Sequence, residues 1–123
     1  MKFFENTTTG KYIINSCEEH AVTVNNNTYN KTIIILSSKI IELENAKDVA
    51  SINAKILDLT IEEQPEIVVI GTGKKLAFLP EDVKFFYENK GIGIEISDTK
   101  SACGNFSLLT SDNRIISALL IVE

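Results

Sequence analysis

A chain of 123 residues has room for one domain, and folding at this size removes roughly two-thirds of the unfolded surface from water. With 44% hydrophobic and 24% charged residues, 2 Pro and 6 Gly, the composition excludes a polar disordered chain. The net charge of −5 comes from 17 acidic and 12 basic side chains scattered without a like-charged run, which excludes the basic patch that a nucleic-acid or anionic-membrane binder needs.

The first residues, Met1 to Asn6, have neither the apolar run of a secretory signal nor the Arg-rich character of a transit peptide. No later stretch is long enough to span a bilayer, so a cytoplasmic chain without membrane insertion is expected. Phe3, Phe4 and Tyr12 are apolar enough to cover either their own sheet or a second copy, which leaves a homo-oligomer open. Tyr12 to Ser16, His20 to Val24 and Lys31 to Leu36 read as strands between polar turns, of which Asn25-Asn26-Asn27 is the clearest. Ile40 to Leu43 adds a short strand. The sequons at Asn26 and Asn30 carry no weight in a cytosolic chain.

From Ala46 to Leu59 the apolar residues Val49, Ile52, Ile56 and Leu59 fall at helical spacing, opposite Lys47, Asp48, Lys55 and Asp58. This is the pattern of an amphipathic helix covering a sheet. After Pro65, the run Ile67 to Ile70 is apolar on both faces, as the middle strand of a covered sheet must be. The Gly71-Thr72-Gly73 loop leads to a second helix that starts at Pro80, carries Glu81 and Asp82 in its first turn and exits at Gly91. Val83, Phe86 and Tyr87 would face inward.

Ile92 to Ile96 alternates isoleucines with Gly93 and Glu95, a strand with one apolar face. Ser97 or Asp98 can cap a third helix striped by Thr99, Ala102, Cys103, Phe106 and Leu109, and Arg114 to Val122 closes the chain as a strand. Strand, helix, strand, helix, strand favours right-handed crossovers with parallel pairing in part of the sheet. The fold expected is a three-layer α/β sandwich with an antiparallel contribution from the N-terminal half.

Pro65 to Gly73, followed by Phe78-Leu79-Pro80, Gly91-Ile92-Gly93-Ile94-Glu95, Asp98-Thr99 and Ala102-Cys103, resembles the signature of one family, with a spacing that covers about half the chain. That family is one of unknown function and includes the mitochondrial respiratory complex I assembly factor 3 and an adipogenesis-associated protein. The resemblance implies a mixed central sheet, flanking helices and an additional N-terminal β layer; it implies no known chemistry. Where many members carry Arg-Thr-Tyr-Asn after the Cys, this chain has Gly104-Asn105-Phe106-Ser107.

Gly71, Thr72 and Gly73 lie where open α/β sheets place ligands, and Asp98 follows the next strand as a ribose-binding acid would. Against a dinucleotide site, Leu76 stands at the third fingerprint position, the helix starts only near Pro80, and Glu81 and Asp82 sit where an anion would dock. A tight glycine turn is the simpler reading. Gly71, Thr72, Gly73 and Lys74, with Thr99 beside them if parallel pairing brings the strand ends together, could still hold a small carboxylate or phosphate through loop amides and one ammonium.

Cys103 shares the stripe of Ala102 and Phe106, well past the first helical turn, so burial explains it better than nucleophilic activation. Cys17 and Cys103 are too few for a disulfide scaffold and have no Cys or His at ligand spacing, so reduced thiols and no metal are expected. His20, the only histidine, has no identifiable catalytic partner. Glu95 on a strand and Asp98 at a helix start are explained by exposure and capping rather than by paired acid-base work. The expectation is a non-enzymatic interaction or assembly module with protein partners and no cofactor; the alternative is a small anionic-ligand binder or enzyme using the glycine loop.

Overall fold

The structure is a computed structural model that describes residues 3–7, by their backbone, together with 11–111 and 113–123. The side chains of Phe3 and Phe4, and with them the choice between covering their own sheet and covering a second copy, lie outside the described set. In chain order the strands are β1 (Phe3–Thr7), β2 (Ile14–Glu18), β3 (Ala21–Val24), β4 (Asn27–Tyr29), β5 (Thr32–Ile35) and β6 (Lys39–Leu43). Then come α1 (Ala54–Thr60), β7 (Ile67–Gly71), α2 (Glu81–Glu88), β8 (Gly93–Ser97), α3 (Thr99–Thr110) and β9 (Ile116–Leu120).

One sheet runs in the order β1-β6-β5-β9-β7-β8, and β2-β3-β4 form a second, three-stranded sheet. The large sheet is mixed: β7 pairs parallel with both β8 and β9, whereas β5 pairs antiparallel with β6 and β9. Side chains alternate across it. Ile33, Ile35, Val69, Ala118 and Leu120 face α3 and the small sheet, while Ile34, Ile41, Val68, Ile70 and Leu119 face α1 and α2. The small sheet is thus the additional β layer, sharing one face with α3. The run Ile67 to Ile70 is interior as expected, but the position nearer the middle belongs to β9, which lies between β5 and β7.

Four sequence-based expectations change. The helix expected from Ala46 to Leu59 is a 3-10 turn at Val49–Ser51 followed by α1, beginning only at Ala54. Asp48 accepts a hydrogen bond from the Ser51 amide and Asn53 one from the Ile56 amide, so two short polar side chains each start their own turn and interrupt the periodic stripe. Ile56 is buried in α1, and Val49, Ile52 and Leu59 still pack against the same core. The Asn25-Asn26-Asn27 stretch is a two-residue hairpin loop in which Asn25 and Asn26 have φ of 49° and 67°, followed at once by the unforeseen β4. Asn tolerates this left-handed pair better than most residues. His20 belongs to the turn before β3 rather than to the strand, and the closing strand is shorter than Arg114 to Val122.

Under α2, Tyr87 is fully buried, and its ring meets Phe86 edge-on at 5.2 Å. The Thr60 hydroxyl donates to the Leu57 carbonyl at 2.7 Å, so it is the Tyr87 hydroxyl that donates to Thr60, also at 2.7 Å. Burial pushes the Tyr87 phenol up from 10.0 to about 12. A raised acid binds its proton more tightly folded than unfolded, so this contribution is complete below pH 10 and lost as pH rises toward 12. Denaturant unfolding should therefore lose about 2 kcal/mol across that window, and Tyr87→Phe should flatten that slope.

Candidate functional site at the carboxyl ends of the parallel strands

After β7 the chain passes to α2 on one face, and after β8 it passes to α3 on the other. The two connections diverge at the carboxyl ends of neighbouring parallel strands, which is where open α/β sheets leave a crevice. Gly71, Thr72, Gly73 and Lys74 lie there, and the pairing of Gly71 with Ser97 brings Asp98 and Thr99 alongside. The juxtaposition of Thr99 with the glycine loop, which parallel pairing would require, is present.

The loop amides meet partners from the chain itself. The Thr72 amide donates to the Ser97 carbonyl at 2.9 Å, and the Gly73 amide donates to the Thr99 hydroxyl at 2.9 Å. The Lys74 amide donates to the Glu123 carboxylate at 2.7 Å. The Thr99 amide returns a bond to the Gly73 carbonyl, and the Thr99 hydroxyl donates to the Ile121 carbonyl at 2.6 Å. Thr72 closes its own turn, donating to the Lys75 carbonyl and accepting from the Ala77 amide. One buried hydroxyl, that of Thr99, therefore joins the β7 loop, α3 and the segment after β9.

Gly71 and Gly73 are glycines for different reasons. A Cβ at Gly71 would lie 2.7 Å from the Thr99 Cα and 3.1 Å from the Ala102 Cβ, so the bare backbone is needed because α3 packs directly on the strand. Turn flexibility, the simpler reading of the sequence, is not the reason at this position. Gly73 has φ of +111°, a conformation that does favour glycine.

Charge converges on the same corner. The Lys74 ammonium pairs with Glu19 at 2.6 Å, and this contact lowers the Glu19 carboxyl and raises the Lys74 amine. His20 contacts the Glu123 backbone carbonyl through Nδ1 at 3.0 Å, so it has a structural partner that the sequence did not reveal. Asp98 caps α3 by accepting from the Ser101 amide at 2.9 Å, and that bond is the largest cause holding its carboxyl below the ordinary value. Its acidity serves the helix start. A cavity of about 270 Å³ opens beside Lys74, lined by Cys17, Glu18, Glu19, Gly73, Thr99 and Lys100 among others.

Cys103 is buried, and burial, followed by the adjacent Cys17, pushes its thiol up. The sequence did not reveal how open three large apolar side chains are: Leu76 and Phe78 before α2 and Phe85 on it are 64%, 90% and 62% exposed. The only signal was an apolar stretch before Pro80 that fits no regular period.

The chain matches the family described as Protein of unknown function (DUF498/DUF598) over residues 14–121. It belongs to that family. A 13 kDa major membrane protein of Francisella tularensis is 28% identical over 120 residues, covering 97% of this chain and 89% of that one. An NADH dehydrogenase [ubiquinone] 1 alpha subcomplex assembly factor 3 of Danio rerio is 31% identical over 111 residues, 89% of this chain but 63% of that protein. This chain thus spans under two-thirds of that factor's length. A Bordetella parapertussis crystal structure matches with a TM-score of 0.84 at 20% identity, over 94% of this chain and 98% of that one, which is a likeness of fold. Among the described residues no helix is long and apolar enough to cross a membrane.

Removing the bridging hydroxyl tests this account of the corner. Thr99→Val should lower the unfolding free energy by about 1–3 kcal/mol, because it leaves the Gly73 amide and the Ile121 carbonyl without their partner. Thr99→Ser should restore most of the loss. Gly71→Ala, which adds one Cβ against α3, should cost about as much through overpacking; denaturant melts of the three variants measure these changes.

Proposed function

We propose that this chain is a non-enzymatic interaction module that holds protein subunits while a larger complex of the respiratory type is assembled, acting from the cytoplasmic side. The observation that carries the reading is the exposure of Leu76, Phe78 and Phe85, which follow one another closely in the chain, with Phe78 90% exposed. Isolated apolar residues are common on surfaces, but three large ones concentrated in one short stretch are the material of a partner-facing anchor. The relatives named as assembly factors support it, as does an acidic surface unsuited to nucleic acid.

Affinity capture from the native cell should retain subunits or maturation factors of a membrane enzyme with the wild-type chain and lose them with Phe78→Ser. The substitution touches little of the core, so stability should stay within about 0.5 kcal/mol. Recovery of the wild-type chain alone, or an unchanged partner set with Phe78→Ser, would sink the proposal.

A second reading, a small-anion site at Gly71, Thr72, Gly73, Lys74 and Thr99, is favoured by the cavity beside Lys74. In this reading Glu123 is an internal competitor for the Lys74 amide. Glu123→Ala should then strengthen binding of inorganic phosphate or acetate, followed by the NMR shift of the Lys74 amide. Equal, negligible shifts in both proteins would eliminate the site.

A further inference from the structure

The two cysteines of the chain, one in the small sheet and one on a helix, meet in the layer that those two elements share. Cys17 lies on β2 and Cys103 on α3. The two elements pack against each other, Cys17 rests on the core cluster that contains Cys103, and Cys17 is the neighbour that, after burial, raises the Cys103 thiol. Their access to solvent differs. Cys17 is half-buried and lines the cavity beside Lys74, whereas Cys103 is buried. Lys74, Lys100, Glu18 and Glu19 line the same cavity, giving it polar and charged walls beside Cys17.

We propose that Cys17 and Cys103 form a reversible dithiol site that takes up a low-molecular-weight disulfide of the glutathione type, with Cys17 as the attacking thiol and Cys103 as the resolving one. The Cys17 thiolate attacks one sulfur of the small disulfide, forming a mixed disulfide and releasing one thiolate. Cys103 attacks the Cys17 sulfur, closing the protein disulfide and passing its proton to the second thiolate as that group leaves. Two protein thiols are oxidised and one small disulfide is reduced to two thiols, so electrons and protons balance. The order follows from access: a solute reaches Cys17 first, and Cys103, shielded from bulk solvent, meets only the sulfur already beside it. Closure ties the small sheet covalently to α3, a join otherwise made by packing between β2 and the helix.

The test incubates the full chain with oxidised glutathione, blocks free thiols with N-ethylmaleimide and maps peptides by mass spectrometry without reduction. Wild type should lose the mass of two hydrogens and yield a linked Cys17–Cys103 peptide pair, with its thermal midpoint raised by several degrees. Cys103→Ala, which leaves no polar atom in the core, should stop at a glutathione adduct on Cys17; Cys17→Ser should remain unmodified. An adduct on wild-type Cys17 that never converts to the bridge would overturn the proposal, as would modification of Cys103 in Cys17→Ser at the wild-type rate.

Discussion

The absence of a side chain at residue 71 is the constraint on which the functional end of the molecule depends. With only a hydrogen there, α3 settles onto the last residue of β7 until Thr99 and Ala102 lie at contact distance. That approach puts the Thr99 hydroxyl within reach of the Gly73 amide and the Ile121 carbonyl together. Had α3 been held off by a methyl group, both backbone groups would need new partners, and buried ones are costly to leave unmet. The closeness of helix and strand thus organises the loop that a pattern reading treats as a freestanding turn.

The same corner gathers chain segments that are remote in sequence. Glu19 comes from the hairpin of the small sheet, Lys74 from the loop after β7, and Glu123 from the segment after β9. An exposed ion pair such as Glu19–Lys74 adds little stability singly, and the bond from the Lys74 amide to Glu123 is likewise exposed. Their effect is placement: they align the edge of the small sheet with the end of the large one and set the walls of the adjoining cavity. Glycine-loop amides that would be free to grip an anion in an open fold are here engaged by the protein's own carbonyl, hydroxyl and carboxylate groups.

Much of the architecture was legible because local periodicity and burial coincide. Ile67 to Ile70, apolar on both faces, lies between two strands and two layers, and the stripe Thr99, Ala102, Cys103, Phe106 is the buried face of α3. Asp98 reads correctly as a cap because its role is fulfilled within one helical turn. Local competition defeated the reading elsewhere: Asp48 and Asn53 restart the chain inside a convincing apolar stripe, and two left-handed asparagines reverse it faster than a polar run advertises. The remainder was illegible because it is non-local. Nothing near Gly71 announces α3, nothing near Lys74 announces Glu123, and the meeting of Cys17 with Cys103 exists only once both layers are in place.

The tyrosine beneath α2 gives the molecule an optical property of its own. The chain has no tryptophan and 3 tyrosines, so its near-ultraviolet spectrum is not masked by indole. Tyr87 is held rigidly between a hydroxyl and the edge of a phenylalanine ring, the kind of asymmetric setting that gives an aromatic chromophore a strong chiroptical band. Loss of that band, with amide ellipticity kept, would mark α2 peeling from the sheet while the strands beneath stay paired.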